Sequence, residues 1–519
     1  MWTKNMWTVW IAASLLGYIQ LLVQGDANEC VPRSFGTDRL ACVCNATYCD
    51  STPDNEPKIP EKGAFYWYVS SKAGLRVSLI KGNISENCKN ESSSNPVLNI
   101  NTTKRYQTIL GYGGAFTDST GINIKKLSPA TQDQLIRAYY DPKVGSRYLL
   151  GRIPIGGTDF STRPYTYDDH ENDTTLAHFA LAKEDYDYKI PYIKRALELN
   201  PDVKFLSAVW SPPIWMKTNE KINGFSFLKE EYYQIYSDYI MKFLDAYKDN
   251  GIKMWAVSTG NEPMSTYVPG NKLSDLGWTP RTMGKWVVEN LGPTLANSKH
   301  NDTLIIALDD QRLSIPWFMY ILYEEHEEAK NYISGTAVHW YFDYLVRPVV
   351  LDSLRDLNTD KFIFMTEACI VGEVETVLIG SWDRGERYIL SIIEYMNHWS
   401  IGWVDWNLAL DKAGGPNWIN NFVDAPIIVN PDTDEFYKQP MYYALKHFSR
   451  FVDRGSVRVS ITDTDSVKST AFVTPSNEVV IVLYNKNATA ANVALNDENG
   501  RSICLELPAK SMSTVIYAL

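Results

Sequence analysis

Two strand-like runs in this chain end in a glutamate. The first is Met254 to Pro263, MWAVSTGNEP, where Trp255, Val257 and Thr259 alternate with Ala256 and Ser258 before the run stops in Asn261-Glu262-Pro263. Pro263 cannot donate to a sheet ladder, so the strand ends there, and it biases Glu262 towards an extended backbone. The second is Lys361 to Ala368, KFIFMTEA, with Glu367 at its tip. Two carboxylates flanking one bond are what glycoside hydrolysis needs. One attacks the anomeric carbon, and the other protonates the departing oxygen and then activates water. A charged nucleophile beside the acid raises the acid's pKa and keeps it protonated.

Other groups at or just past strand ends suit a sugar. Asp159, His339 and Asn407 are polar enough to hold hydroxyls, while Trp210, Trp340, Tyr341 and Trp406 offer flat faces for the C–H side of a pyranose. His339 as a general base is the alternative, but its aromatic neighbours favour substrate orientation. The chain lacks His-Glu-x-x-His, a phosphate loop and Gly-x-Ser-x-Gly. Gly111 to Phe116, GYGGAF, breaks the dinucleotide fingerprint at Phe116 and reads as a strand end that needs little side-chain bulk. Cys369, two residues past Glu367, is a thiol without a His partner in the sequence and reads as a buried filler.

The elements that must position these groups begin at Tyr106, where strand and helix patterns alternate for most of the remaining chain. Eight strand candidates follow: Tyr106–Gly111, Arg147–Ile155, Lys204–Trp210, Met254–Thr259, Leu304–Leu308, Gly335–Tyr341, Lys361–Thr366 and Gly402–Asn407. Ser128-Pro129 signals one helix start and Pro142 its stop. Tyr232, Tyr236, Tyr239, Ile240, Phe243, Leu244 and Tyr247 form one face of another helix, which Gly251 closes. Eight such units predict an α/β fold, a (β/α)8 TIM barrel over residues 106–410 with 439–449, in preference to a doubly wound open sheet. Catalytic groups of such barrels sit at the C-terminal ends of the strands, and the fourth and seventh strands face each other across the mouth. Residues 56–105 with 450–519 are strand-rich and predict a discontinuous β-sandwich. Residues 26–55, with about 411–438, predict a small disulfide-bearing β module.

Composition bounds the rest. The 519 residues are 45% hydrophobic and 21% charged, which is ordinary for a folded chain of two or three domains. The net charge of −11 excludes nucleic acid as a partner. Protonating the seven histidines in an acidic compartment removes much of that charge and eases approach to an anionic lipid surface. Residues 1–25, with Lys4 and an apolar Met6 to Val23, read as a secretory signal peptide. Sequons at Asn45, Asn83, Asn90, Asn101, Asn172, Asn301 and Asn487 agree with that route. Cys30, Cys42, Cys44 and Cys49 form a cluster that an oxidising compartment turns into a disulfide knot. Of the three pairings, adjacent loops (Cys30–Cys42, Cys44–Cys49) are expected; a zinc site is disfavoured because no His lies near. The odd count leaves at least one of Cys88, Cys369 and Cys504 free.

The stretches CVCNATYCD, GYGGAFTD, NEP, LDDQR, AVHWY, TEAC, GSWDRG, GWVDWNLAL, GGPNW, NFVD and FYKQPM run in order through nearly all the chain after the leader. In these the chain resembles glycoside hydrolase family 30, the acid β-glucosidases of the glucosylceramidase type. The resemblance implies Glu262 as acid/base, Glu367 as nucleophile, and retention through a covalent glycosyl-enzyme. It implies a sugar pocket of Asp159, Trp210, Asn261, His339, Trp406 and Asn421, with Tyr341 beside the nucleophile. It implies a sandwich of immunoglobulin-like form, no metal or other cofactor, and glucosylceramide as substrate. It also implies a lysosomal setting, peripheral on lumenal membranes, with anionic lipid and a small saposin-like activator protein as partners. A relative acting on xylosides, and an inactive carbohydrate-binding protein on the same scaffold, are the rival expectations.

Overall fold

The computed structural model describes residues 27–52, 59–85, 88 and 96–519. The expected leader and the Asn90 sequon lie outside the described residues.

Eight parallel strands close into a barrel in chain order: β1 (Gly111–Ala115), β2 (Leu150–Ile155), β3 (Lys204–Val209), β4 (Met254–Ser258), β5 (Leu304–Gln311), β6 (Ile333–His339), β7 (Phe362–Glu367) and β8 (Ser400–Asn407). These strands are buried almost throughout, because helices cover the outside and side chains fill the inside. Leu150, Leu206, Ala256, Ile306, Ala337, Phe364 and Val404, from β2 to β8, meet in one interior layer. β1 contributes Gly113 to the same register, where a Cβ would sit 2.2 Å from the Leu150 carbonyl oxygen. The barrel therefore closes through a glycine.

That crowding corrects one expectation. The first barrel strand is not Tyr106–Gly111. Residues through Thr108 end a long outer strand, Val97–Thr108, and GYGGA is itself the barrel strand. Its lack of branched side chains reads as a strand end in sequence, whereas the closed barrel requires small residues there. The expected helices form as Pro129–Tyr140, capped by Ser128, and Tyr233–Asp249.

Two further sheets flank the barrel. Pro32–Ser34, Leu40–Asn45, Glu435–Lys438, Ile427–Asn430 and Ala409–Asp411 form a five-stranded sheet in that order. The structure pairs Cys30 with Cys42 and Cys44 with Cys49 beside it. The second is a nine-stranded sheet drawn from both ends of the chain. Ser511–Ala518 is inserted between Glu478–Asn485 and Ala64–Ser71, and Val97–Thr108 pairs with Val457–Ile461. Inward residues such as Trp67, Leu98, Ile481, Leu495 and Val515 share a core separate from the barrel's. Cys88 is bonded to Cys504 on Ser502–Leu507, a strand the sequence reading did not find. Cys369 is free and buried.

Candidate active site

Most of the groups singled out in the sequence converge on a cavity of about 200 Å³ at the C-terminal end of the barrel, room for one sugar ring. Asp159, Trp210, Asn261, Glu262, Tyr341, Glu367, Trp406 and Asn421 all line it. One carboxylate oxygen of Glu262 and one of Glu367 lie within 4.8 Å of each other.

Glu367 ends β7 and is 5% exposed. Tyr341 donates its hydroxyl to Oε1 at 2.8 Å, and Arg152 donates Nη1 to Oε2. Burial pushes the Glu367 carboxyl above its ordinary value; the Arg152 and His339 cations pull it down, and the Glu262 charge adds to the rise. Burial, with Cys369 and Glu367 nearby, holds the Tyr341 hydroxyl far above its usual value, so it stays a neutral donor. Burial likewise keeps the Cys369 thiol protonated, which removes it as a nucleophile.

Glu262 follows β4 in a left-handed conformation, φ 44° and ψ 57°. This differs from the extended backbone expected before Pro263. Proline excludes the right-handed helix at the preceding residue, and tertiary bonds then choose among the rest. The Glu262 N–H donates to the Asp309 carbonyl at 2.9 Å, and the Glu262 carbonyl accepts from Ser265 N–H at 2.9 Å. Asp310 Oδ2 accepts the Met264 N–H at 2.7 Å, pinning the turn that begins at Pro263. Burial, then the Glu262 charge, raises Asp310 to about 7. Glu262 Oε1 accepts from Gln311 Nε2 at 2.6 Å and meets His339 Nδ1 at 2.8 Å. Among the described residues its Oε2 accepts no hydrogen bond, and the residue lines the cavity.

Asp159 accepts both Asn417 Nδ2 and Asn421 Nδ2 at 3.0 Å on one oxygen. Burial raises it to about 7 against those two donors, with Glu367 and Glu262 adding to the rise, so it is a neutral acid in mildly acidic solution. Asn261 Oδ1 accepts Arg152 Nη2 at 2.7 Å. Its amide nitrogen is thereby turned away from the guanidinium.

Trp340, bonded to the Cys369 carbonyl, and Asn407, bonded to the Thr117 hydroxyl, lie outside the cavity wall, and the third exception among the expected sugar contacts is His339. It is fully buried behind Glu262 and lies outside the cavity wall. Nδ1 meets Glu262 and Nε2 meets Asp309 Oδ1 at 3.0 Å. Burial opposes its charge, but Glu367, Asp309 and Glu262 outweigh burial and carry the imidazolium up to about 10.

Arg152, Asp309, Asp310 and Gln311 escaped the sequence reading as site residues. The available signal was a charge inside a run that must be buried: Arg152 in LGRIPI and the paired aspartates closing LIIALDDQ. Among sequons, Asn83, Asn101, Asn172 and Asn301 are exposed, and Asn45 and Asn487 are half-buried.

Residues 109–452 match the family model described as the glycosyl hydrolase family 30 TIM-barrel domain, and residues 455–515 match the family 30 beta sandwich domain. The chain is 38% identical to lysosomal acid glucosylceramidase of Mus musculus over 98% of this chain and 99% of that protein. It is 38% identical to putative glucosylceramidase 3 of Caenorhabditis elegans, over 94% of this chain and 95% of that one. Among solved structures, SrfJ from Salmonella typhimurium superposes with a TM-score of 0.82 at 27% identity, covering 88% of this chain and all of that one. The endo-beta1,6-glucanase BT3312 gives 0.77 at 26%, over 88% and 99%.

Proposed function

Because this chain belongs to glycosyl hydrolase family 30, we propose that it is a retaining β-glucosidase that cleaves the glucosyl bond of glucosylceramide. Glu367 attacks the anomeric carbon while Glu262 passes its proton to the departing oxygen. Water then attacks the same carbon from the opposite face, giving a proton to Glu262 and displacing the Glu367 carboxylate, and glucose leaves with its β configuration restored. The observation that carries this reading is that one oxygen of the Glu262 carboxylate lies within 4.8 Å of one of Glu367, the two groups lining the same one-ring cavity. Retaining pairs stand about 5–5.5 Å apart and inverting pairs about 6.5–9.5 Å. In this reading Asp159, Asn261 and Asn421 hold hydroxyls, and Trp210 and Trp406 cover the ring's apolar face.

Glucosylceramide is chosen because the mouse relative, matched nearly end to end, carries that substrate in its name. The cavity's volume of about 200 Å³ also suits removal of a single terminal sugar. Phe225, Tyr267, Val268, Tyr344, Leu345 and Val374, on loops after β3, β4, β6 and β7, expose apolar surface. We infer from it peripheral docking on anionic lipid, aided by a saposin-like activator, in the lysosome. Among the described residues no helix is long and apolar enough to cross a membrane.

A 2-deoxy-2-fluoro-β-glucoside with a good leaving group tests the mechanism. Mass spectrometry should find one sugar attached to Glu367. Labelling at another residue, or release of α-glucose, would refute retention through Glu367. Glucosylceramide in detergent micelles, run beside a β-1,6-glucan and an aryl xyloside, tests the substrate; hydrolysis of the glucan or xyloside alone would discard the lipid. Equal binding to anionic and neutral vesicles would remove the lipid-surface inference.

A further inference from the structure

The least regular backbone in the site belongs to a residue that touches no substrate in the mechanism above. Leu308 and Asp309 are successive non-glycine residues with φ of 74° and 56°. Left-handed backbone is strained for such side chains, and two in a row persist only where surroundings enforce them. The register of β5 on β6 shifts at the same place, from Leu308 opposite Ala337 to Asp310 opposite Val338. This bulge re-aims one side chain. The Asp309 carboxylate ends fully buried, accepting from side chains on three other strands of the barrel, β2, β6 and β7. Oδ1 takes His339 Nε2 at 3.0 Å and Thr366 Oγ1 at 2.6 Å, and Oδ2 takes Arg152 Nη2 at 2.9 Å. Each cation has a second contact on one of the two glutamates: His339 on Glu262, and Arg152 on Glu367.

We propose that Asp309 is a positioning residue for the reaction: by fixing His339 against Glu262 and Arg152 against Glu367, it keeps a single proton on the glutamate pair. The proposal rests on the glycosidase reading above. Its logic is a charge count. Asp309, Glu262 and Glu367 face two cations, and with one proton on the pair the cluster is neutral. One protonated and one ionised glutamate is the state from which a retaining displacement starts. The remaining titratable groups around the pair are Asp310 from β5, Asp159 beyond β2, Asp405 from β8, and Tyr341 and Cys369 beside Glu367. None of them contacts both cations. Asp309 also fixes the Glu262 backbone through its carbonyl, so its placement governs the position of the acid as well as its proton.

The substitution Asp309→Asn keeps the size and removes the anion. The acid then holds its proton less tightly. The alkaline limb of the kcat/KM profile should move to lower pH by about one unit. Loss of rate should be larger for substrates with poor leaving groups, which need the acid, than for aryl glucosides, with KM little changed. A merely structural role would lower the active fraction by one factor at every pH and for every substrate. That result, with the limb unmoved, overturns the proposal. Should Asp309→Asn not fold, Thr366→Val removes one donor from the same carboxylate and leaves every charge in place. Its less stabilised anion should move the limb slightly to higher pH, and an unmoved limb overturns the proposal. A wild-type protein with no β-glucosidase activity overturns the functional reading too, whereas an active wild type with unshifted variants overturns this inference alone.

Discussion

The indoles of Trp210 and Trp406 lie stacked, ring centroids 5.1 Å apart and planes 20° from parallel. The Arg152 guanidinium stands 4.9 Å from the first ring and 5.5 Å from the second. The pair therefore walls the cavity and also holds the cation that faces Glu367. Trp406→Phe shortens that wall and weakens the cation–π contact, worth about 0.5–2 kcal/mol. We expect kcat/KM to fall roughly tenfold, read from initial rates, with far-UV circular dichroism unchanged.

Removing the acid separates the two steps. With Glu262→Ala, glucosides bearing poor leaving groups should lose several orders of magnitude in rate, while good leaving groups still form the glycosyl-enzyme. Added azide needs no general base and should restore turnover as β-glucosyl azide. Equal loss on all substrates, or an α product, would contradict the assignment of Glu262.

Tyr341→Phe deletes the hydroxyl donated to Glu367 Oε1. A hydrogen bond to a charged group is worth about 1.5–3 kcal/mol. The expected loss in kcat is on the order of 10–100-fold, with the melting temperature shifted by no more than a few degrees. A rate equal to wild type would show that Arg152 alone suffices to orient the nucleophile.

Stability should favour acid. Asp159 and Asp310 are each raised to about 7, chiefly by burial. Each binds its proton more tightly folded than unfolded. The resulting advantage is full below the unfolded carboxyl value and is lost as pH rises towards 7. His339, raised to about 10, acts in the same sense above its unfolded value. Asp309, held well below its ordinary value by Arg152 and His339 despite burial, loses its contribution only at far lower pH. Unfolding free energy should be greater at pH 5 than at pH 7.5 by roughly 2–5 kcal/mol. Urea titrations at the two pH values measure this, and a reversed order would mean that other groups dominate.

The Cys88–Cys504 bond should matter to the outer sheet and not to catalysis. Replacing both cysteines with serine should cost roughly 2–4 kcal/mol and leave kcat on an aryl glucoside unchanged at low temperature. Loss of activity in step with the melting transition would couple the sheet to the barrel, and loss well below it would assign the bond a role in the site.

The strand-end glutamates were legible because Asn-Glu-Pro and the tip of KFIFMTEA are local signals, and barrel geometry supplies the rest. The barrel itself was legible from alternation alone. The first strand was not, because Gly113 is required by the Leu150 backbone pressed against it, a contact from a distant segment. Arg152 and Asp309 stayed hidden for a related reason. Each is explained only by partners from other strands, and a single sequence shows no pairing. The conformation of Glu262 was misread because the local preference of a residue before proline is weaker than its bond to the Asp309 carbonyl.

The outer sheet has a consequence for how this protein is made. Its strand Ala64–Ser71 leaves the ribosome long before its neighbour Ser511–Ala518 is translated. At about 5–20 residues per second, the waiting edge stays unpartnered for tens of seconds while the catalytic barrel assembles. An open strand edge invites association with other chains, so this interval is when the nascent protein most needs a chaperone. By the same logic, a premature stop that spares every catalytic group but removes Ser511–Ala518 still leaves Ala64–Ser71 without its mate.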